Sequence, residues 1–445
     1  MERRYATRLK EMLAQAEVPA DLIDGFTGRL EAFVEPFAAA LAEPEQRRHA
    51  VEYVRGLLSK LDHKTSEAIA YLHDQQRQGL QKFIGLAPWD HNPLLATLAH
   101  QVGADLGEAD GVIVFDPSGF PKKGDKSVGV GRQWCGRLGK VENCQVGIYM
   151  GYVARQEHTL VGVRLYLPEQ WAKDRSRRKE AGVPKAIKFQ TRHELALAML
   201  DERGAVLPHT WVAGDDEMGR PTSFRLALRG RGERYLLAVP SNTLVRDATA
   251  PPPAYAGRGR RPKSPFVRVD RWCAAVAGSR WTALEVRNGE KGPLTVEAVM
   301  CQVQARTETG GTGPDEVLFI TRERQTDGAF KHDYYLSNAD PGVALNELAR
   351  VAKAEHRIEE CLERAKGEAG LGDYQVRTWM SWHHHQALAL LAAWFLNQET
   401  RRGKNPGPGV DHAAVEANGR GPDRGVAGDQ HAHEAITTQY ALACA

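Results

Sequence analysis

Hydrophobic and polar positions follow three successive regimes along the chain. Over residues 1–105 they recur at helical spacing: Leu9, Met12 and Leu13 open an apolar face, and VEYVRGLLSKLD (51–62) continues it. Pro19 and Pro36 are expected to break the early stretch, and Pro88 and Pro93 to loosen its end, giving a helical N-terminal domain over 1–105. Near residue 110 the period shortens. GVIVFD (111–116), NCQVGIYMGYV (143–153) and HTLVGVRLYLP (158–168) have strand length, the last two forming a hairpin that turns at Ala154–Glu157. A helical pattern at 191–203 is followed by two further strands, TWVAGDD (210–216) and RYLLAVPS (234–241). Three strands, a helix and two strands, with acids closing two of the strands, suit an α/β nuclease-type core whose first part spans 106–244.

The rhythm is then interrupted. A Pro/Gly/Arg-rich loop and the strands WTALEV, PLTVEAVMCQVQAR and EVLFITRER indicate a β-rich insertion over 245–332. DYYLSNAD (333–340) returns to the core, whose last part covers 333–400. A long helix is expected to follow, with Asp340 as N-cap and Pro341 in its first turn. Leu345, Leu348, Val351, Ile358, Cys361, Leu362 and Ala365 supply its apolar face, and Gly367 its stop. A second apolar helix covers 384–396. The tail, 401–445, is rich in Gly, Ala, Asp and His without periodicity, and reads as disordered or as a replaced end.

Bulk composition narrows this picture only slightly. A chain of 445 residues suffices for two to four units, and 42% hydrophobic with 26% charged residues is ordinary for a globular protein. The net charge of +3 carries no sign of a polyanion partner, so any DNA surface must be a local patch. The six cysteines show neither a disulfide framework nor paired zinc spacing. The first residues lack an apolar signal-peptide core, and the longest apolar run, ALALLAAWFL (387–396), is too short to span a bilayer. A cytoplasmic protein without a membrane partner is expected.

Asp116 and Asp215 each end an apolar strand, and Pro117-Ser118-Gly119 is expected to turn the chain away after Asp116. An acid in that place either ends its strand in a turn or meets a second acid held equally rigidly. Two such acids with a third from a helix would cage hard divalent ions for in-line phosphoryl transfer.

The residues around them carry a resemblance. FDPSGFPKKGDKSVGVGRQWCGRLGKVENCQVGIYMGYV (115–153), AIKFQTRHELALAMLDERG with TWVAGDDEMGRP, YLLAVPSN (235–242) and HRIEECLERAKGEAGLGDYQVRTWMSWHHH (356–385) resemble segments of bacterial insertion-sequence transposases of the DDE class. The similarity is to the branch with a Tyr-Arg-Glu-Lys helix and runs from about residue 45 to about 400. It implies a ribonuclease-H-like catalytic core with Asp116, Asp215 and Glu359 as catalytic residues, holding two Mg²⁺ or Mn²⁺ ions. It implies strand cleavage and strand transfer at element ends, on double-stranded DNA, by a homodimer. Lys366 takes the place of the motif's lysine. It lies seven residues after Glu359 and therefore on the same helix face, to contact a phosphate. Three features depart from the pattern. Ala352 and Glu355 stand where the motif has its Tyr and Arg, Met218-Gly219 replaces an aromatic-Gly pair, and the tail is unusual. Glu355 either weakens DNA binding or turns toward the metals as an extra ligand. These departures keep two alternatives open, a catalytically inactive DNA-binding or regulatory descendant and a nuclease that cuts without joining.

Two basic stretches complete the candidates. Lys122, Lys123, Lys126, Arg132 and Arg137 surround Trp134 in a Gly-rich segment, either holding phosphates and stacking a base, or forming a solvated loop with Trp134 in the core. Arg258, Arg260, Arg261, Lys263, Arg268 and Arg271 stand against Asp270 alone, as a DNA-tracking arm or a charged linker. Trp382-His383-His384-His385 lacks metal-ligand spacing and reads as helix packing.

Overall fold

The computed structural model describes residues 25–404 apart from 252, 256, 259–261 and 290–291. Among the described residues, five helices precede the first strand: α1 (Phe26–Ala38), α2 (Pro44–Leu57), α3 (Ser66–Leu72), α4 (Arg77–Gly85) and α5 (Asn92–Leu106). Phe26, Leu30, Val34 and Phe37 are the buried stripe of α1. Pro36 lies inside the last turn of α1 instead of breaking the stretch before it, leaving the carbonyl one turn earlier without its N–H. α2 starts with a capping box between Glu43 and Gln46 and carries Pro44 in its first turn. Pro93 likewise starts α5, where its missing N–H has no helical partner to lose.

The strands and helices that follow are β1 (Val112–Pro121), β2 (Gly131–Cys135), β3 (Lys140–Val153), β4 (His158–Tyr166), α6 (Glu169–Lys173), α7 (Arg175–Glu180), α8 (Arg192–Arg203), β5 (Trp211–Gly214), α9 (Asp216–Gly219), α10 (Thr222–Gly230) and β6 (Tyr235–Ala238). Then come β7 (Leu244–Asp247), β8 (Val267–Arg268), α11 (Val269–Ala274), β9 (Thr282–Gly289), β10 (Gly292–Arg306), β11 (Thr312–Arg324), β12 (Phe330–Ser337), α12 (Leu345–Gly367) and α13 (Trp379–Lys404). Arg260, Arg261 and the tail beyond residue 404 lie outside the described residues.

The strands form one mixed sheet, not closed into a barrel. β3 is antiparallel to β1 and β4, whereas β5 and β6 run parallel to β1. β12 pairs antiparallel with β6 and leads on through β11 and β10, to which β7 and β9 are joined, with β8 on β7. The strands between residues 244 and 324 thus extend the sheet that carries β1 and β5.

Two local expectations are corrected. Pro117-Ser118-Gly119 does not turn the chain away after Asp116: β1 runs on to Pro121, paired with β3 throughout. Its pairing with β5 stops at Phe115, so Pro117 needs no N–H on that side. The long helix begins at Leu345, capped by Ala344, and not at Pro341. Asp340 accepts a hydrogen bond from the Gly342 amide at 2.7 Å, which closes a turn and spends its capping oxygen before the helix starts.

α13 ties the ends of the described chain together. Tyr149 donates to Gln386 Oε1 at 2.6 Å, Tyr53 Oη and His385 Nδ1 are 2.9 Å apart, and Arg29 pairs with Glu399 at 2.7 Å. His384 stacks on Trp89 with ring centroids 3.6 Å apart. Burial holds both His384 and His385 down to about 4, so they pack as neutral rings. No helix among the described residues is long and apolar enough to cross a membrane.

Candidate active site

The register of the parallel pair decides where the two aspartates go. β1 and β5 pair from Val112↔Trp211 to Phe115↔Gly214, and the next residue on each strand is Asp116 and Asp215. Both acids therefore leave the same edge of adjacent parallel strands, toward the same face of the sheet. Asp215 is also the N-cap of α9, its Oδ1 accepting from the Met218 amide at 3.0 Å. Met218 is fully buried, so the position where the resemblance has an aromatic is a core position here. Gly219 is required by packing, since a Cβ there would lie 1.9 Å from the Ala238 carbonyl oxygen.

α12 brings the remaining groups across that face. Its Ile358 packs on Gly151 of β3, where an added Cβ would be 3.0 Å from Ile358 Cδ1. Side chains on one face of a strand alternate, so Asp116, Ser118 and Phe120 share a face of β1. Lys366 Nζ donates to Ser118 Oγ at 2.8 Å and lies 5.4 Å from the Phe120 ring centre, on the side of Asp116.

Mutual perturbation brings the acids into one electrostatic group. Burial, then Asp215 and Glu359, push Asp116 up to about 8, while Lys366 pulls the other way. Burial also raises Asp215 to about 7, with the Met218 amide opposing and Glu217 and Asp216 adding to the rise. Glu355 is raised to about 8 by burial and then by Asp215, Glu359 and Asp116. Glu359 is the exception. Its carboxylate is exposed, and His356 Nδ1, 3.4 Å away, holds it below the ordinary range.

These donors are hard oxygens crowded together, each of which a divalent cation would favour in its ionised form, chemistry that fits Mg²⁺ or Mn²⁺. Among the described residues, however, no three acids, histidines or cysteines stand close enough to close round an ion. Asp215 is engaged as a cap and Glu359 is turned toward His356, so closure requires side-chain rotation.

The basic candidates occupy several settings. Lys122 donates to the Tyr374 carbonyl at 3.1 Å and lies 3.4 Å over that ring, and burial lowers it to about 8. Lys123 is exposed, and Lys126 pairs with Glu180 at 3.0 Å. Arg132 is exposed, and Trp134 is 53% exposed and so outside the core. Arg258 and Lys263 are exposed on the β7–β8 connection. Sequence reasoning missed Ser118 and Glu217. The only signal for Ser118 was its spacing of two from Asp116, legible once β1 is known to continue. Glu217 is held by Arg192 at 2.6 and 2.7 Å, across a sequence gap that no local pattern reveals.

Comparison with known proteins finds similarity to transposases. Over 194 residues the chain is 27% identical to the probable transposase for insertion sequence element IS701 of Microchaete diplosiphon, covering 43% of this chain and 48% of the relative. The match thus spans about half of that protein's length. Among solved structures, a piggyBac transposase synaptic complex with hairpin DNA aligns over 97% of this chain and 80% of its own, at 9% identity. Its TM-score of 0.37 is too low to bear on the fold. The family model described as DDE superfamily endonuclease matches residues 36–293, more than half of the chain. The protein therefore belongs to the DDE superfamily of endonucleases.

Proposed function

We propose that the protein is a DNA transposase that cleaves and joins strands at insertion-sequence ends. The observation that carries this reading is the exit of Asp116 and Asp215 side by side from parallel β1 and β5, faced by α12. The strand order β4–β3–β1–β5–β6, antiparallel then parallel about β1, supports a ribonuclease-H-like core. In this reading 1–105 is a helical accessory domain, 106–244 and 333–400 are the two parts of the core, and 245–332 is an insertion. The named function of the IS701 relative supports the reaction class.

Asp116, Asp215 and Glu359 would hold two Mg²⁺ or Mn²⁺ ions. Bound there, such ions supply activation of a water or a DNA 3′-hydroxyl and stabilisation of the departing oxygen. The chain's own groups prepare the rest. Lys366, now on Ser118, exchanges that hydroxyl for a phosphate oxygen and holds the scissile group against Asp116. Glu355 adds negative charge where an arginine would bind phosphate, and contributes a further oxygen to the same space. Double-stranded DNA is the substrate, and a homodimer would pair two element ends.

The test uses purified protein with a plasmid carrying its gene and flanking DNA, in Mg²⁺ or Mn²⁺. Discrete end cleavage and joined products are expected from the parent. Asp116→Asn or Glu359→Gln is expected to lower the rate at least ~10³-fold. Cleavage without joining would make the protein a nuclease. DNA binding without either product would make it an inactive regulatory descendant.

A further inference from the structure

Beside the carboxylates, the structure contains a cleft of about 460 Å³ that the reaction as described does not use. Arg132, Gln133, Asn143, Tyr166, Arg177 and Arg192 form its polar walls, with the Asp125 and Glu169 carboxylates among its lining. One wall is shared with the candidate active site. Arg192 reaches from Gln133, at 3.2 Å, to Glu217, which follows Asp215 by two residues and raises the affinity of Asp116 for its proton. The far end of β2 also touches β1 close to Asp116, since a Cβ on Gly119 would sit 2.9 Å from Cys135 Sγ.

Most cations here are engaged. Arg177 lies 3.9 Å over Trp171 and donates to the Asp125 carbonyl at 2.9 Å. Arg132 differs: it is exposed, and among the described residues its side chain makes no hydrogen bond or close ion pair, acting only at longer range to lower the Glu142 carboxyl. Trp134 is the next residue on the same face of β2, and its cross-strand partner Val141 is 50% exposed. Arg132 lines the cleft and Trp134 stands outside its lining, so an exposed indole lies next to an exposed guanidinium at the cleft's edge, an arrangement that matches no feature of a folded core. It matches the two elements that seat single-stranded nucleic acid, a cation for the phosphate and an aromatic face for the base. Bases inside a duplex hide their π-faces in the stack, whereas an unpaired nucleotide offers its base and its phosphate together, which favours it as the ligand.

We propose that this cleft and the β2 face beside it seat an unpaired nucleotide of a DNA strand end, with Arg132 at the cleft's edge on its phosphate and Trp134 on the adjoining face stacked on its base. The proposal rests on the transposase reading and adds how the strand leaving the carboxylates is gripped. The seat selects DNA already opened at its end over intact duplex.

Binding is measured without divalent metal, so that nothing is cut. The full chain is titrated with a duplex bearing a five-nucleotide 3′ overhang containing 2-aminopurine, and with the same duplex blunt-ended. The overhang form is expected to bind more tightly and its 2-aminopurine fluorescence to be quenched. Trp134→Ala should weaken overhang binding by on the order of tenfold and abolish the quenching, while leaving blunt binding unchanged. Trp134→Phe should retain most of both. Arg132→Ala should weaken overhang binding and reduce its salt slope by about 0.7. Equal overhang binding and quenching by the parent and Trp134→Ala would overturn this inference alone. So would equal losses on blunt and overhang DNA, which would make Trp134 a general contact. Failure of the parent to bind any DNA would overturn the transposase reading as well. Because Trp134 is exposed, its variants are expected to melt with the parent, and that melting curve checks the fold.

Discussion

The Arg225–Glu316 pair and the Asp116–Asp215–Glu355 group are associated with one sheet and treat buried charge in opposite ways. Arg225 and Glu316 are almost entirely enclosed, yet each is answered. Arg225 Nε donates to Glu316 Oε1 at 2.8 Å, Tyr235 donates to the same oxygen at 2.6 Å, and Arg225 also reaches the Gly219 carbonyl at 2.6 Å. In the acid group like charges go unanswered: Asp215 and Glu359 raise both Asp116 and Glu355, with Lys366 opposing at Asp116. A fold that neutralises charge at one place and crowds like charges at another leaves the second place in need of a cation.

The largest effect should come from breaking the satisfied pair. Glu316→Gln or Arg225→Met removes one half of a buried ion pair and is expected to destabilise the protein by about 3–5 kcal/mol in denaturant titration. Replacing both partners with apolar residues should recover much of that loss. If the single variants melt like the parent, the pair is not the structural anchor described here.

Cations address the other side of the comparison. Mn²⁺ at a hundredfold excess over its Kd should stabilise the parent by ~2.7 kcal/mol and stabilise Asp116→Asn far less. A thermal shift of equal size in both proteins would place the ions elsewhere.

The smallest effect is a pH dependence. Glu355 is raised from an ordinary 4.5 to about 8, so the folded state holds a proton that the unfolded state has released between those values. Its contribution to metal-free stability therefore falls as pH rises through that window. Glu355→Gln should leave Tm near the parent's at pH 4 and raise it by roughly 2 °C at pH 8, measured in EDTA. A gain that shrinks toward pH 8 would contradict the burial of that carboxyl.

The sequence made some of this legible because the signals are local. GVIVFD and TWVAGDD each announce a buried strand followed by an acid, and the spacing from Glu359 to Lys366 places both on one helix face. The extension of β1 through Pro117 was hidden because a proline within an apolar run reads as a stop. Only the end of the β5 pairing makes it harmless. The start of α12 was misplaced because Asp340 suits both a cap and a turn. Arg225 and Glu316 stand 91 positions apart, and Arg192 and Glu217 stand 25 apart. Pairings of that kind depend on how elements pack, which no window of sequence contains.

The clasp between Arg29 of α1 and Glu399 of α13, together with the Phe26–Phe395 contact, sets a schedule for synthesis. The two partners are 370 positions apart, so at ~5–20 residues per second α1 leaves the ribosome roughly 20–70 s before its partner. For that interval Phe26 and Phe33 have no Phe395 to pack against and depend on chaperones or on their neighbouring helices. A chain whose synthesis stops before α13 would expose this surface instead of burying it, and would be a substrate for proteolysis.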